Sequence, residues 1–140
     1  YQVTAIKEIP GFKNYVAVNG GMADNPRYAL YKADYEVVVA NKANQKRDFT
    51  ATIAGKCCES GDIIIEDVML PELGQGDLLA VYTTGAYGYS MASNYNRLGL
   101  PAVCFVKDGK KMLCSQKVNP NKALFAELAT FLPESCIKFI

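Results

Sequence analysis

No histidine occurs anywhere in the 140 residues. Neither a Ser-His nor a Cys-His nucleophile can therefore be assembled from this chain, and the usual zinc frameworks drop out with them. Chemistry falls to thiols, carboxylates, phenols and guanidinium groups, and three stretches concentrate these. Cys58-Glu59-Ser60-Gly61-Asp62 sets a thiol beside a carboxylate just ahead of an apolar run, Ile63-Ile64-Ile65. At the mouth of a site such a carboxylate pairs with a substrate ammonium, and such a thiol hands over a proton. Spacing alone favours the plainer alternative, a solvated turn. Residues 19–31 form a stretch rich in glycine and asparagine that carries Arg27, Tyr28 and Tyr31. Residues 85–96 hold Tyr87, Tyr89 and Tyr95 among glycines and small or amide residues, almost free of charge until Arg97. Loops carry function more often than cores do, so these three are the places to look. The bland reading of Arg27 is a solvent-exposed ion pair with Asp24 or Asp34, which contributes little to stability.

The elements that would position these loops are short and strand-like. β-Branched and aromatic runs broken by glycine, proline and asparagine predict strands at residues 2–9, 15–19, 36–40, 48–54, 62–66, 78–83, 102–107 and 111–116. Pro10-Gly11 punctuates the first two. Asp108-Gly109 lies between Phe105-Val106 and Met112-Leu113, where a type I′ hairpin needs positive φ at both central residues. Gly74-Gln75-Gly76-Asp77 reads as a turn feeding the buried run Leu78-Leu79-Ala80-Val81. One helix is expected near the end, with Asn119 as cap, Pro120 in its first turn, Leu124, Leu128 and Phe131 on one face, and Pro133 as stop. A shorter helical turn is expected at residues 26–31, capped by Asp24 or Asn25. The regular spacing of strands and turns predicts a mainly β fold of barrel or sandwich type, not a βαβ sheet.

Composition narrows the field. Half the residues are apolar, which suits a single compact domain over 1–140. Fifteen basic against 14 acidic side chains leave a formal charge of +1, so no broad field attracts nucleic acid or an anionic membrane. No apolar run approaches the length of a membrane span, and no basic-then-apolar leader opens the chain. The chain starts at Tyr1 rather than at methionine, as expected of a fragment or a processed product. The five cysteines, an odd number with no Cys-x-x-Cys pair, fit a reducing cytoplasm. Cys57, Cys104, Cys114 and Cys136 are expected to be buried, leaving Cys58 as the thiol with a function.

Taken together, the three stretches resemble the diaminopimelate decarboxylases. Cys58-Glu59-Ser60-Gly61-Asp62 is similar to that family's Cys-Glu-Ser-x-Asp signature. Residues 85–96 resemble Gly-Ala-Tyr-x-x-Ser-Met-x-Ser-x-Tyr-Asn, and residues 20–31 resemble a third signature ending in Arg-Pro-x-Leu-Tyr. All three occur in the family's order. Tyr28 departs from the pattern where proline is common, and Lys56 does so upstream of the thiol.

The resemblance implies the C-terminal β-domain of a fold-type III enzyme. The N-terminal (β/α) barrel, absent from this chain, would hold pyridoxal 5'-phosphate on a lysine. It implies that the β-domain dimerises and completes the partner subunit's active site. Cys58 would then be the acid that protonates the carbon left by departing carbon dioxide. Glu59 would bind the distal amino group of meso-diaminopimelate, while Arg27 and Tyr31 hold its distal carboxylate. Tyr87 would lie near both cofactor phosphate and substrate. The product is L-lysine, and the chain alone, lacking the barrel, is expected to be inactive. Two alternatives stay open: a related decarboxylase acting on arginine, ornithine or carboxynorspermidine, and a stand-alone β-domain used for binding or dimerisation.

Overall fold

In the computed structural model, which describes residues 1–115, the β-branched runs form eight strands. β1 (Val3–Ile9) and β2 (Lys13–Val18) make an antiparallel hairpin. At its tip the Phe12 N–H donates to the Ile9 carbonyl at 3.0 Å, and proline followed by Gly11 at φ 74° has the φ pattern of a type II turn. The helical turn α1 (Arg27–Tyr31) follows, then β3 (Val37–Val39), β4 (Phe49–Ala54), β5 (Ile63–Leu70), β6 (Leu79–Val81) and the short helix α2 (Gly85–Met91). β7 (Val103–Lys107) and β8 (Lys110–Ser115) form a second hairpin. Contacts divide the described residues into two compact units, Tyr1–Ala92 and a second that begins at Ser93.

The first unit is built on a four-stranded sheet in the order β1-β2-β4-β5. β2 and β4 run parallel, with Tyr15, Val16 and Ala17 opposite Thr52, Ile53 and Ala54, whereas β4 and β5 are antiparallel. β3 and β6 form a separate antiparallel pair. An isolated bridge from Gln2 to Leu78 joins that pair to the β1 edge, reinforced by Val3 N–H donating to the Asp77 carbonyl at 2.8 Å. The inward residues Val3, Val16, Val18, Val37, Val39, Ile53, Ile64 and Leu70 are buried in one core. Strand alternation delivers them: Val16 and Val18 are buried while their neighbours on β2 are only half-buried. The mainly-β expectation holds. Among the described residues the strands do not close into a barrel, because the four-stranded sheet and the β3–β6 pair remain distinct.

All eight predicted strands within the described residues are present. The hairpin at Asp108-Gly109 forms with φ of 51° and 70°, both positive as a type I′ turn requires. β5 runs four residues beyond the expected end at Glu66 and reaches Leu70. The acidic pair Glu66-Asp67 is not a terminus but a bulge: Asp67 has φ 50°, and its N–H donates to the buried Thr52 hydroxyl at 3.4 Å. α1 forms where a helical turn was expected, but neither Asp24 nor Asn25 caps it. Its N-cap is Pro26, without a side-chain cap hydrogen bond. The Asp24 carboxylate instead accepts the Gly21 N–H at 3.2 Å, and the Asn25 amide oxygen accepts the Tyr35 hydroxyl at 2.8 Å. α2 was not foreseen. Glycine at 85 and 88 carries a helix penalty of about 1 kcal/mol each, which hid the helix in a stretch that read as loop. The helix expected after Asn119 lies outside the described residues.

The turn ahead of β6 is held by one carboxylate. Asp77 accepts hydrogen bonds from Lys42 Nζ at 2.7 Å, Asn41 Nδ2 at 2.8 Å and the Gly74 N–H at 2.7 Å, while Gly76 takes φ 94°. Burial by itself would raise the Asp77 pKa, but the hydrogen bonds from Lys42, Gly74 and Asn41 and the Lys42 charge together outweigh it and hold the pKa below the ordinary carboxylate value. A folded-state pKa below the unfolded one means stability that is complete above the unfolded value and lost as pH falls through the folded value. Asp77→Asn is therefore expected to cost about 2 kcal/mol in urea unfolding near neutral pH. That gap should narrow once pH drops below about 4. A gap that stays constant down to pH 2 would contradict this assignment.

Candidate functional site

Because β2 and β4 are parallel, their C-terminal ends, Val18 and Ala54, lie at the same end of the sheet. The chain leaving β2 becomes the glycine-rich loop that leads into α1. The chain leaving β4 becomes the Lys56–Asp62 turn that leads into β5. Direct bonds join the two: the Lys56 N–H donates to the Gly20 carbonyl at 3.0 Å, and the Met22 N–H to Asp62 Oδ1 at 2.6 Å. Lys56 thus contributes a donor that a proline at this position would lack.

Cys58 is exposed at the outer side of the turn. Glu59 beside it is half-buried, with its Oε2 shut off from solvent. Asp62 is only 2% exposed, so the plain solvated-turn reading fails at this residue. Cys57 is half-buried and Cys104 is exposed, which corrects the expectation that both are buried. Cys104 lies on the β7–β8 hairpin of the second unit, where Phe105 and Val106 are likewise exposed, at 63% and 72%.

Arg27 and Tyr31 are brought together as one group. Arg27 Nε donates to the Tyr31 hydroxyl at 2.7 Å, and the guanidinium carbon lies 5.6 Å from the centroid of the Tyr31 ring. The hydroxyl acceptor, with Tyr35 adding to it, holds the Arg27 pKa above its ordinary value. With Nε engaged by Tyr31, the planar guanidinium still has further N–H donors of the kind that suit a planar acid. The Tyr31 hydroxyl in turn reaches Met91 Sδ at 3.9 Å, tying α1 to α2, the helix of Tyr87. Tyr87 is 71% exposed and takes φ 65°, and a β-carbon at Gly85 or Gly88 would meet nothing within 4 Å. Gly85 is exposed beside Tyr87, whereas Gly88 is buried. Contacts therefore link all three stretches in series.

Position 28 explains how α1 is seated. The Tyr28 ring is buried and its hydroxyl donates to Glu66 Oε2 at 2.5 Å, while Lys32 Nζ lies 4.4 Å from the ring centroid. Burial first, and the Glu66 hydrogen bond second, push the phenol pKa up to about 12. Sequence reasoning noted Tyr28 only as a departure from pattern. Its anchoring role, like that of Asp62, depends on contacts across the sheet. A wide concavity at Phe12, Asn14, Thr50 and Asp67 lies by the β1–β2 turn, at the opposite end of β2 and β4, and takes no part in this site. Among the described residues no cluster of acidic or thiol side chains has the arrangement of a metal site.

Residues 1–85 match the family described as pyridoxal-dependent decarboxylase, C-terminal sheet domain. The chain belongs to that family. Within it, the chain is 59% identical over 113 residues to the diaminopimelate decarboxylase of Bacillus subtilis (strain 168), covering 81% of this chain and 26% of that protein. It is 41% identical over 133 residues to the same enzyme of Mycobacterium leprae (strain TN), covering 91% and 28%. The crystal structure of diaminopimelate decarboxylase from Helicobacter pylori complexed with L-lysine superposes with a TM-score of 0.79 at 31% identity, covering 92% of this chain and 31% of that one. The resemblance read from the three signatures is borne out. The chain spans just over a quarter of the length of these curated relatives, at 26% and 28%.

The seating of α1 gives a test by stability. Tyr28→Phe, which removes one hydrogen bond to a half-exposed partner, is expected to cost about 1 kcal/mol. Tyr28→Ala, which also empties the site under α1, should cost about 4 kcal/mol. Equal losses in urea unfolding would show that ring burial is not what anchors the helix.

Proposed function

We propose that this chain is the C-terminal sheet domain of a cytoplasmic, homodimeric diaminopimelate decarboxylase, which converts meso-2,6-diaminopimelate to L-lysine and carbon dioxide. The domain would pack on its own N-terminal barrel and lend residues to the active site of the partner subunit. In that complete assembly the β1 edge and the β3–β6 pair would draw the sheet toward a barrel, a reading supported by the Gln2–Leu78 bridge. The observation that carries the functional proposal is the bonding, at one end of the sheet, of the loop that leads to the Arg27–Tyr31 group with the turn that carries Cys58 and Glu59.

Each side chain then has a task suited to its chemistry. Arg27, held by Tyr31, grips the distal carboxylate, the group that separates diaminopimelate from a simple diamino acid. Glu59 receives the distal ammonium, where a half-buried carboxylate compensates the water that the ammonium loses. Tyr87 meets the rim of the pyridoxal phosphate site. Its exposed phenol and the exposed backbone at Gly85 fit close approach of a phosphorylated ring. When bound, the cofactor supplies the electron sink for the pair left when the carbon–carboxylate bond breaks. Cys58 then gives its thiol proton to that carbon, and the thiolate regains a proton from solvent. The exposed Cys58 fits such a role toward a second subunit, and the reducing cytoplasm would keep it as a thiol.

In the two-domain holoenzyme, Cys58→Ala is expected to lower kcat by about a hundredfold or more with KM little changed. Arg27→Ala should raise KM for diaminopimelate roughly a hundredfold while leaving weak turnover of substrates without a distal carboxylate untouched. Steady-state kinetics with both substrate types decides. An unchanged kcat in Cys58→Ala removes the thiol from the chemistry, and equal losses on both substrate types remove Arg27 from carboxylate recognition.

A further inference from the structure

We infer that Asp62 is a positioning residue that couples the two substrate loops, holding the Cys58 turn and the Arg27 loop in one register; the inference rests on the functional reading of Cys58 and Arg27. One carboxylate serves both loops, an oxygen to each. Oδ1 accepts the Met22 N–H at 2.6 Å, on the loop that leads to Arg27, and Oδ2 accepts the Cys57 N–H at 2.7 Å, next to the thiol. The backbone of Asp62 closes the turn from behind: its carbonyl accepts the Gly55 N–H at 2.7 Å, and its N–H donates to the Glu59 carbonyl at 3.0 Å. The group is 2% exposed, so water does not compete for these acceptors.

Sequence and packing agree on the fit. A β-carbon at Gly21 or at Gly55 would overlap the Asp62 carboxylate, so glycine on each loop makes the room in which it sits. Only a carboxylate presents two acceptor oxygens to two backbone donors. Asparagine would set its amide N–H against one of those donors and release one loop. Asp62 has no place in the proton transfer or in substrate contact as assigned above. It acts by holding the reacting thiol and the binding arginine at a fixed offset, and misplacement on the ångström scale is enough to cost about a hundredfold in rate.

A clamp predicts crossed effects. In the holoenzyme, Asp62→Asn should lower kcat and raise KM for diaminopimelate together, each about tenfold or more. Gly21→Ala, on the Arg27 side, should lower kcat as well as raise KM. Gly55→Ala, on the Cys58 side, should raise KM as well as lower kcat, and either glycine variant replaces Asp62→Asn should that protein not fold. Combined with Cys58→Ala, Asp62→Asn should lower kcat no further, whereas a residue that merely supports the fold gives losses that multiply. Effects confined to each glycine's own loop, or multiplicative loss in the double variant, would overturn the inference. The reading beneath it fails separately, if Cys58→Ala and Arg27→Ala alone leave the kinetics unchanged.

Discussion

The parallel pairing of β2 with β4 is the constraint on which the rest depends. Val16 and Ile53 sit opposite one another, both fully buried, and fix the register of two strands that point the same way. Antiparallel pairing would send the loops after Val18 and Ala54 to opposite ends of the sheet. Parallel pairing delivers both to one end, with the arginine–tyrosine group following one loop and the thiol–glutamate pair on the other. A parallel connection needs a long crossover, and here it is occupied by α1 and β3, so the crossover itself carries Arg27 and Tyr31.

Around that constraint the chain separates holding from presenting. Tyr28, Asp62 and Asp77 are buried polar groups with satisfied partners, and each pins a turn or short helix to the sheet. Cys58 and Tyr31, on two of the elements so pinned, are exposed, as is Tyr87 on α2. Buried polar groups are costly unless fully bonded, so their positions are strongly specified. Exposed phenols and thiols cost little, so their positions are set by the elements that carry them.

Strands were legible because the period of two and the β-branched runs are local signals, and Asp108-Gly109 states its turn outright. β5 was read short because an acidic pair resembles a strand end when the bulge beneath it is invisible. α2 was missed because glycine and tyrosine disguise it, and Tyr87 with positive φ makes it irregular. Exposure of Cys104 could not be read either, since thiol burial depends on which face of a hairpin is covered. Candidate site residues were legible through their motifs, not through spacing, which by itself pointed to a solvated turn. What no local pattern revealed was the support: Tyr28 to Glu66 and Asp62 to Met22 are contacts between residues about forty positions apart.

The central claim is geometric, and a crystal structure tests it most directly. The two-domain protein, carrying Cys58→Ala to slow turnover, would be crystallised with pyridoxal phosphate and diaminopimelate. Arg27 is expected within about 3.2 Å of the distal carboxylate and Glu59 as near the distal ammonium. The methyl at position 58 should face the carbon that loses carbon dioxide. A complex in which the distal end of the substrate is bound by other residues, with Arg27 and Glu59 turned to solvent, would contradict it.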